Sequence, residues 1–234
     1  MIKTIFFDLD GTLLPMDQEA FVKSYLRRMA KKMSPHGYDP DMLTEAIWTG
    51  TGAMVKNTGA VTNEMLFWEV FSQIFGRDTR ADEPLFAEFY QQEFQGVRED
   101  CGFDERAAQA IREIHAMGYR TVLATNPLFP AIATQSRVRW AGLDPEDFML
   151  ITTYENSSFC KPNPDYYREI LGKLNLNAEE CLMVGNDVDE DMVAQTLGMQ
   201  VFLLTDCLIN RSGCDISQYP HGSFPELLNY IRNL

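Results

Sequence analysis

Two aspartates, Asp8 and Asp10, close the apolar run "TIFFDLDGT" with a single leucine between them. Residues two apart on an extended chain point to one face, so the two carboxylates can converge on one point, with Gly11 free to turn the chain beside them. Carboxylates at the end of a buried strand are costly to desolvate unless a cation or hydrogen-bond donors meet them. A pair of this kind suits a hard cation such as Mg²⁺, which takes oxygen ligands and keeps waters for a phosphate. The glycine follows the acids too soon for a calcium-binding loop. Three further segments supply what such a centre needs: Thr125 and Asn126, a hydroxyl and an amide able to bind phosphate oxygens; Lys161 before Pro162; and "GNDVDEDM", which carries Asn186, Asp187, Asp189, Glu190 and Asp191.

These residues stand at the ends of recognisable elements. Short apolar, β-branched or aromatic runs at 4–9, 120–124, 148–151, 181–184 and 200–204 predict strands. Helical patterns at 104–117, 130–141, 164–173, 189–198 and 224–233 alternate with them, which predicts an α/β fold with a Rossmann-like parallel sheet covered by helices. The first half breaks the rhythm. Between Asp10 and Asp104 only helical patterns occur, at 19–33, 39–49, 62–75 and 82–95, separated by "SPHGYDP", "GTGAMVKNTGAV" and "GRDTRAD". Residues 1–15 and 98–234 are therefore expected to form the α/β core, and 16–97 a helical cap inserted into the first β-to-α connection. Ligands of open parallel sheets bind beyond the carboxyl ends of the strands, so the cap would overhang Asp8 and Asp10 as a lid does.

Taken in order, the four segments resemble the motifs of the haloacid dehalogenase superfamily: "DLDGT" the first, "TN" the second, Lys161 in "CKPNP" the third and "GNDVDED" the fourth. One branch of that superfamily carries its cap between the first and second motifs, where this chain has its helical insertion. The resemblance implies that Asp8 is a nucleophile giving an aspartyl-phosphate, that Asp10 protonates the leaving alcohol and then activates water, and that Thr125, Asn126 and Lys161 orient the phosphoryl oxygens. Mg²⁺ is the implied cofactor, held by Asp8, the carbonyl of Asp10 and an acid of the fourth motif. That motif usually places aspartate directly after the glycine; here Asn186 stands there and Asp187 follows. A carboxylate holds Mg²⁺ better than an amide, so Asp187 is the expected ligand, with Asn186 or Asp191 assisting. Members that displace halide from carbon lack the second aspartate and need no metal, and this chain has Asp10.

The implied activity is a Mg²⁺-dependent phosphatase acting on a small phosphorylated metabolite. A phosphomutase would use the same core residues. A non-catalytic phosphometabolite-binding protein would keep the fold, but the full set of Asp8, Asp10, Lys161 and Asp187 argues against it. Within the insertion, Lys56 and Asn57 in the glycine-rich stretch "WTGTGAMVKNTGAV" are the candidates for contacting the leaving group, while Phe67, Trp68, Phe71 and Phe75 at helical spacing read as the cap's own core. Arg27, Arg28, Lys31 and Lys32 spread around one helix and read as solvated.

Composition narrows the partners. A net charge of −14 argues against nucleic acid and anionic membrane, both repelled within a Debye length of about 8–10 Å. An anionic substrate must then be held by local cations. Five cysteines without a C-x-x-C pair fit neither a disulfide framework nor a zinc site, and no apolar run approaches the ~20 residues of a spanning helix. The expected location is cytoplasmic.

Overall fold

The computed structural model describes residues 1–234. Five parallel strands, β1 (Thr4–Phe7), β2 (Arg120–Leu123), β3 (Cys181–Gly185), β4 (Gln200–Leu204) and β5 (His221–Gly222), form one sheet in the order β2-β1-β3-β4-β5. β1 lies inside it, between β2 and β3, with Phe6 in register with Val122 on one side and Met183 on the other. Alternation along β1 sends Ile5 and Phe7 to one apolar cluster and Phe6 to another, packed on Tyr166 and Tyr167, so both faces of the sheet are covered. Such strands read as continuous apolar runs because neither face meets water.

Four helices lie between β1 and the next core helix: α1 (Gln18–Met33), α2 (Pro40–Val55), α3 (Asn63–Phe75) and α4 (Glu83–Gln91), followed by a 3₁₀ segment at Glu93–Asp100. α5 (Glu105–Ala116), α6 (Ala131–Trp140), α7 (Pro164–Leu174) and α8 (Phe224–Arg232) flank the sheet. The inserted helices start where their caps dictate. Asp17 accepts from the N–H groups of Glu19 and Ala20, and Asp39 from Asp41 and Met42 just before Pro40. The larger cluster runs without a break from Ile5 and Phe7 to Trp68, Phe71 and Phe89, so insertion and sheet share a core. Backbone bonds also join them, from Asn63 N–H to the Ser157 carbonyl and from Glu64 N–H to the Tyr154 carbonyl, each 2.8 Å. No helix is long and apolar enough to cross a membrane, and all five cysteines are free.

The structure corrects three local expectations. Residues 148–151 do not form a full strand; Ile151 makes an isolated parallel bridge to Leu123, and the segment lies along the outer edge of β2 through bonds from Met149 N–H to the Thr121 carbonyl and from Leu123 N–H to the Leu150 carbonyl, each 2.9 Å, with the Met149 side chain exposed. The helix expected over 39–49 runs on to Val55, through Gly50 and Gly52. Gly50 serves a close approach there, since a Cβ would lie 2.7 Å from the Phe67 ring of α3. In place of a helix over 189–198 there is a 3₁₀ turn at Met192–Leu197, because the preceding loop folds around the Asp187 carboxylate, which accepts the N–H groups of Asp189 and Glu190.

Candidate active site

Asp8 is the first residue beyond β1, and its N–H continues the ladder to the Val184 carbonyl at 2.9 Å. The carboxylate is thus fixed at the carboxyl end of β1. Its Oδ1 accepts from Lys161 Nζ at 2.8 Å and its Oδ2 from Thr12 Oγ1 at 3.2 Å. Lys161 is 1% exposed and donates also to Asp191 Oδ1 at 2.7 Å. Burial alone would push this ammonium down, but the Asp191 and Asp8 carboxylates outweigh it and hold the pKa well above the ordinary lysine value. Burial in turn pushes the Asp191 carboxyl up, against the pull of Lys161. The two acids and one lysine form one buried, hydrogen-bonded cluster.

The fourth-motif loop packs beside it. Thr12 Oγ1 lies 2.9 Å from Asn186 Oδ1, and Asn186 Nδ2 donates to the Cys207 carbonyl at 2.7 Å, which leaves the amide oxygen on the Thr12 hydroxyl. Gly11 adopts φ +88° here, and a Cβ on it would come within 2.4 Å of Asn186 Nδ2. The sequence points first to Asp187 as the metal ligand. The structure engages both of that residue's oxygens elsewhere: Oδ1 on the N–H groups of Asp189 and Glu190, and Oδ2 on Arg211 Nη1 at 2.8 Å. Asp191 is engaged by Lys161 and the Asp187 N–H. Asn186 Oδ1 shares the Thr12 hydroxyl with Asp8, and no charged group engages it.

Asp10 meets a residue that sequence patterns did not single out. Arg137, 1% exposed on α6, donates through Nη1 to Asp10 Oδ2 and through Nη2 to Thr134 Oγ1 at 3.3 Å. Its guanidinium lies 4.6 Å from the Phe129 ring centroid and 5.9 Å from that of Phe21, a cation between aromatic faces. Burial raises the Asp10 carboxyl above the ordinary carboxylate value, Arg137 opposes this, and the nearby Asp8 charge adds to it. A helical signal for Arg137 exists in retrospect, since it stands four residues after Ala133 and three before Trp140, both buried.

Thr125 and Asn126 follow β2 after Ala124. Thr125 is buried, and its carbonyl accepts from Thr152 Oγ1 at 2.6 Å and Tyr166 OH at 2.9 Å. Asn126 Nδ2 donates to Glu190 Oε2 at 3.1 Å. Five buried side-chain atoms in the molecule lack a protein partner, and three of them, Asp10 Oδ1, Asn126 Oδ1 and Arg137 Nε, belong to this centre. Such atoms mark a place where a ligand completes the hydrogen bonding.

Lys56 and Asn57 are placed apart from these groups. Lys56 is exposed at the C-terminus of α2. Asn57 is buried and donates to the Val61 carbonyl at 2.9 Å and to Asn63 Oδ1 at 2.8 Å. Asn63 then reaches the Pro127 carbonyl and Cys160 Sγ, each at 3.3 Å. The amide pair links the insertion to the two loops that carry Asn126 and Lys161.

No three His, Cys, Asp or Glu side chains converge as a ready metal cage. The donors that do gather are hard oxygens: the Asp8 carboxylate, the Asn186 amide oxygen and the Asp10 carbonyl, which accepts no backbone hydrogen bond. One carboxylate with neutral oxygens fits Mg²⁺, which keeps several waters and shares its sphere with phosphate.

A family model described as haloacid dehalogenase-like hydrolase matches residues 2–194. A phosphoglycolate phosphatase of Colwellia psychrerythraea is 26% identical over 217 residues, spanning 93% of this chain and 89% of the relative. A glyceraldehyde 3-phosphate phosphatase of Methanocaldococcus jannaschii is 26% identical across 100% of this chain and 99% of its own. Among solved structures, a 2-haloacid dehalogenase from Pseudomonas syringae pv. Tomato superposes with a TM-score of 0.62 at 21% identity, covering 100% of this chain and 99% of the other. That last likeness is one of fold.

Proposed function

The chain belongs to the haloacid dehalogenase-like hydrolases, and from that premise we propose that it is a Mg²⁺-dependent phosphatase of small phosphorylated metabolites working through phosphorylated Asp8. The observation that carries this reading is the second acid. Asp10 stands beside Asp8, is held by a buried arginine and has its carboxyl raised by burial, so it can keep a proton for an alcohol leaving group. A departing halide needs no proton, and a metal-free halide displacement would have no use for this group. Relatives named as phosphatases at 26% identity support the same side.

The chemistry follows from the placement. An Asp8 oxygen attacks phosphorus, the bond from phosphorus to the ester oxygen breaks, and that oxygen takes the Asp10 proton. Asp10, now a carboxylate, removes a proton from water; the water oxygen attacks phosphorus and the bond to Asp8 breaks, releasing orthophosphate and restoring both acids. Lys161 faces Asp8 and offsets the charge gathering on the phosphoryl oxygens, with the Thr125 hydroxyl and the Asn126 amide at the end of the neighbouring strand. Arg137 orients Asp10 in both halves of the cycle. Asp8, the Asp10 carbonyl and Asn186 would hold a magnesium ion, which would further neutralise phosphate charge. Asp187 and Asp191 hold the loop that presents Asn186. These local cations let a protein of charge −14 accept an anionic substrate.

The test is turnover of ethyl phosphate and phenyl phosphate by purified protein with Mg²⁺ and with EDTA, alongside chloroacetate. Free orthophosphate that requires Mg²⁺, and no chloride release, is expected. Chloride release by metal-free protein, or conversion of a sugar phosphate to its isomer without free phosphate, would overturn the assignment.

A further inference from the structure

A cavity of about 400 Å³ lies between the inserted helices and the loops at the carboxyl edge of the sheet, and none of Asp8, Asp10, Lys161, Thr125 or Asn126 lines it. Sixteen of its twenty lining residues are hydrophobic. Aromatic rings dominate, among them Tyr25, Trp48, Phe67, Trp68 and Phe129, and Trp48 is 53% exposed at one side. The volume falls within the range of roughly 300–1,000 Å³ typical of small-molecule sites. The only charged lining side chains are Glu83 and Glu155; no lysine, arginine or histidine takes part. A phosphate or carboxylate is therefore excluded from this chamber, and an uncharged apolar group is favoured.

Its walls tie it to the reaction. Leu128 and Phe129 belong to the loop that begins with Thr125 and Asn126, and Tyr154 and Glu155 to the segment that leads to Lys161. Phe129 forms part of the wall, and the Arg137 guanidinium that stacks 4.6 Å from its ring grips Asp10 through Nη1. Resting on the phosphatase reading above, we propose that the chamber receives the organic part of the substrate, so that the enzyme prefers phosphate esters of bulky, apolar, ring-sized alcohols or phenols over short polar ones. The phosphate stays with Lys161, and the leaving group extends past Phe129 into the aromatic walls.

Two substitutions that fill the chamber without touching the charged centre, Thr51→Trp on α2 and Ala87→Leu on α4, test this with 2-naphthyl phosphate and ethyl phosphate as substrates. Comparing each variant with the parent on the same ester cancels the difference in leaving-group reactivity. The expected result for at least one variant is a loss of ~10-fold or more in kcat/KM for the naphthyl ester, the scale of an excluded apolar group, with ethyl phosphate changed less than ~2-fold. Equal effects on both esters, or none on either, overturn the chamber assignment while leaving the phosphatase reading intact. Failure of the parent to hydrolyse either ester overturns both.

Discussion

The spaces on the two sides of Phe129 are built from opposite materials. On one side charges are packed against one another: Asp8, Lys161 and Asp191 in a buried chain, and Asp10 on Arg137. On the other, the walls are aromatic and the only ions are two glutamates. Buried charges are held by geometry and fail when one partner is lost, whereas apolar walls tolerate changes of shape and select by volume. Chemistry common to a family belongs on the first side and choice of substrate on the second. Both reach the same loop after β2: Thr125 and Asn126 open it, and Leu128, Phe129 and Pro130 line the chamber.

The largest test of this contrast is removal of the central cation. Lys161→Ala leaves Asp8 and Asp191 facing each other without compensation and is expected to cost about 3–5 kcal/mol of stability, read as a fall in the denaturation midpoint, together with loss of turnover. Unchanged stability would mean that the cluster is not held as described. Next comes the arginine. With Arg137→Met, Asp10 loses its orienting partner and kcat should drop by roughly 10²–10⁴-fold on ethyl phosphate. Single-turnover phosphorylation by 2,4-dinitrophenyl phosphate, whose leaving group needs no acid, should be spared. A uniform loss across leaving groups would instead indicate a packing role alone.

Smaller effects separate the fourth-motif residues. Asn186→Ala should weaken Mg²⁺ activation by ~10–100-fold, the usual scale for disturbed metal coordination, and more than Asp187→Ala does. The reverse order would restore Asp187 to the role that its charge suggests. The mildest change lies in the seam between insertion and core. Asn63→Leu should destabilise by about 1–3 kcal/mol by stranding the Asn57 amide, without altering relative rates across esters. A shift in substrate preference would show that the amide pair belongs to the selecting side.

Much of the frame was legible in the residues. Four strands announced themselves because both faces of the sheet are buried, and Asp8, Asp10, Thr125 and Asn126 all stand beyond the carboxyl ends of strands, where binding groups of parallel sheets gather, while Lys161 follows the 149–152 segment that lies along the edge of β2. What escaped depended on distance. Arg137 pairs with a residue 127 positions away, and nothing in "QSRVRW" distinguishes a buried arginine from a solvated one except its place on the apolar stripe. Charge alone favoured Asp187 over Asn186, and only the fold shows that Arg211 and two backbone N–H groups hold that carboxylate. Glycines at 50 and 52 read as a break because sequence cannot reveal that Phe67 leans on the helix at one of them. The aromatic residues of α3 read as the insertion's own core, and Phe71 is that; Phe67 and Trp68 also wall the chamber, a distinction set by packing between elements.

The central claim is that phosphorus is transferred to position 8. Mixing the protein with Mg²⁺ and phenyl phosphate, quenching in acid, reducing with borohydride and sequencing the peptides by mass spectrometry tests it directly, because an acyl phosphate is reduced to an alcohol at the residue that carried it. Homoserine at position 8, present in the parent and absent without substrate, is the predicted result. Steady turnover with position 8 remaining aspartate throughout, or a modified residue elsewhere in the chain, would contradict it.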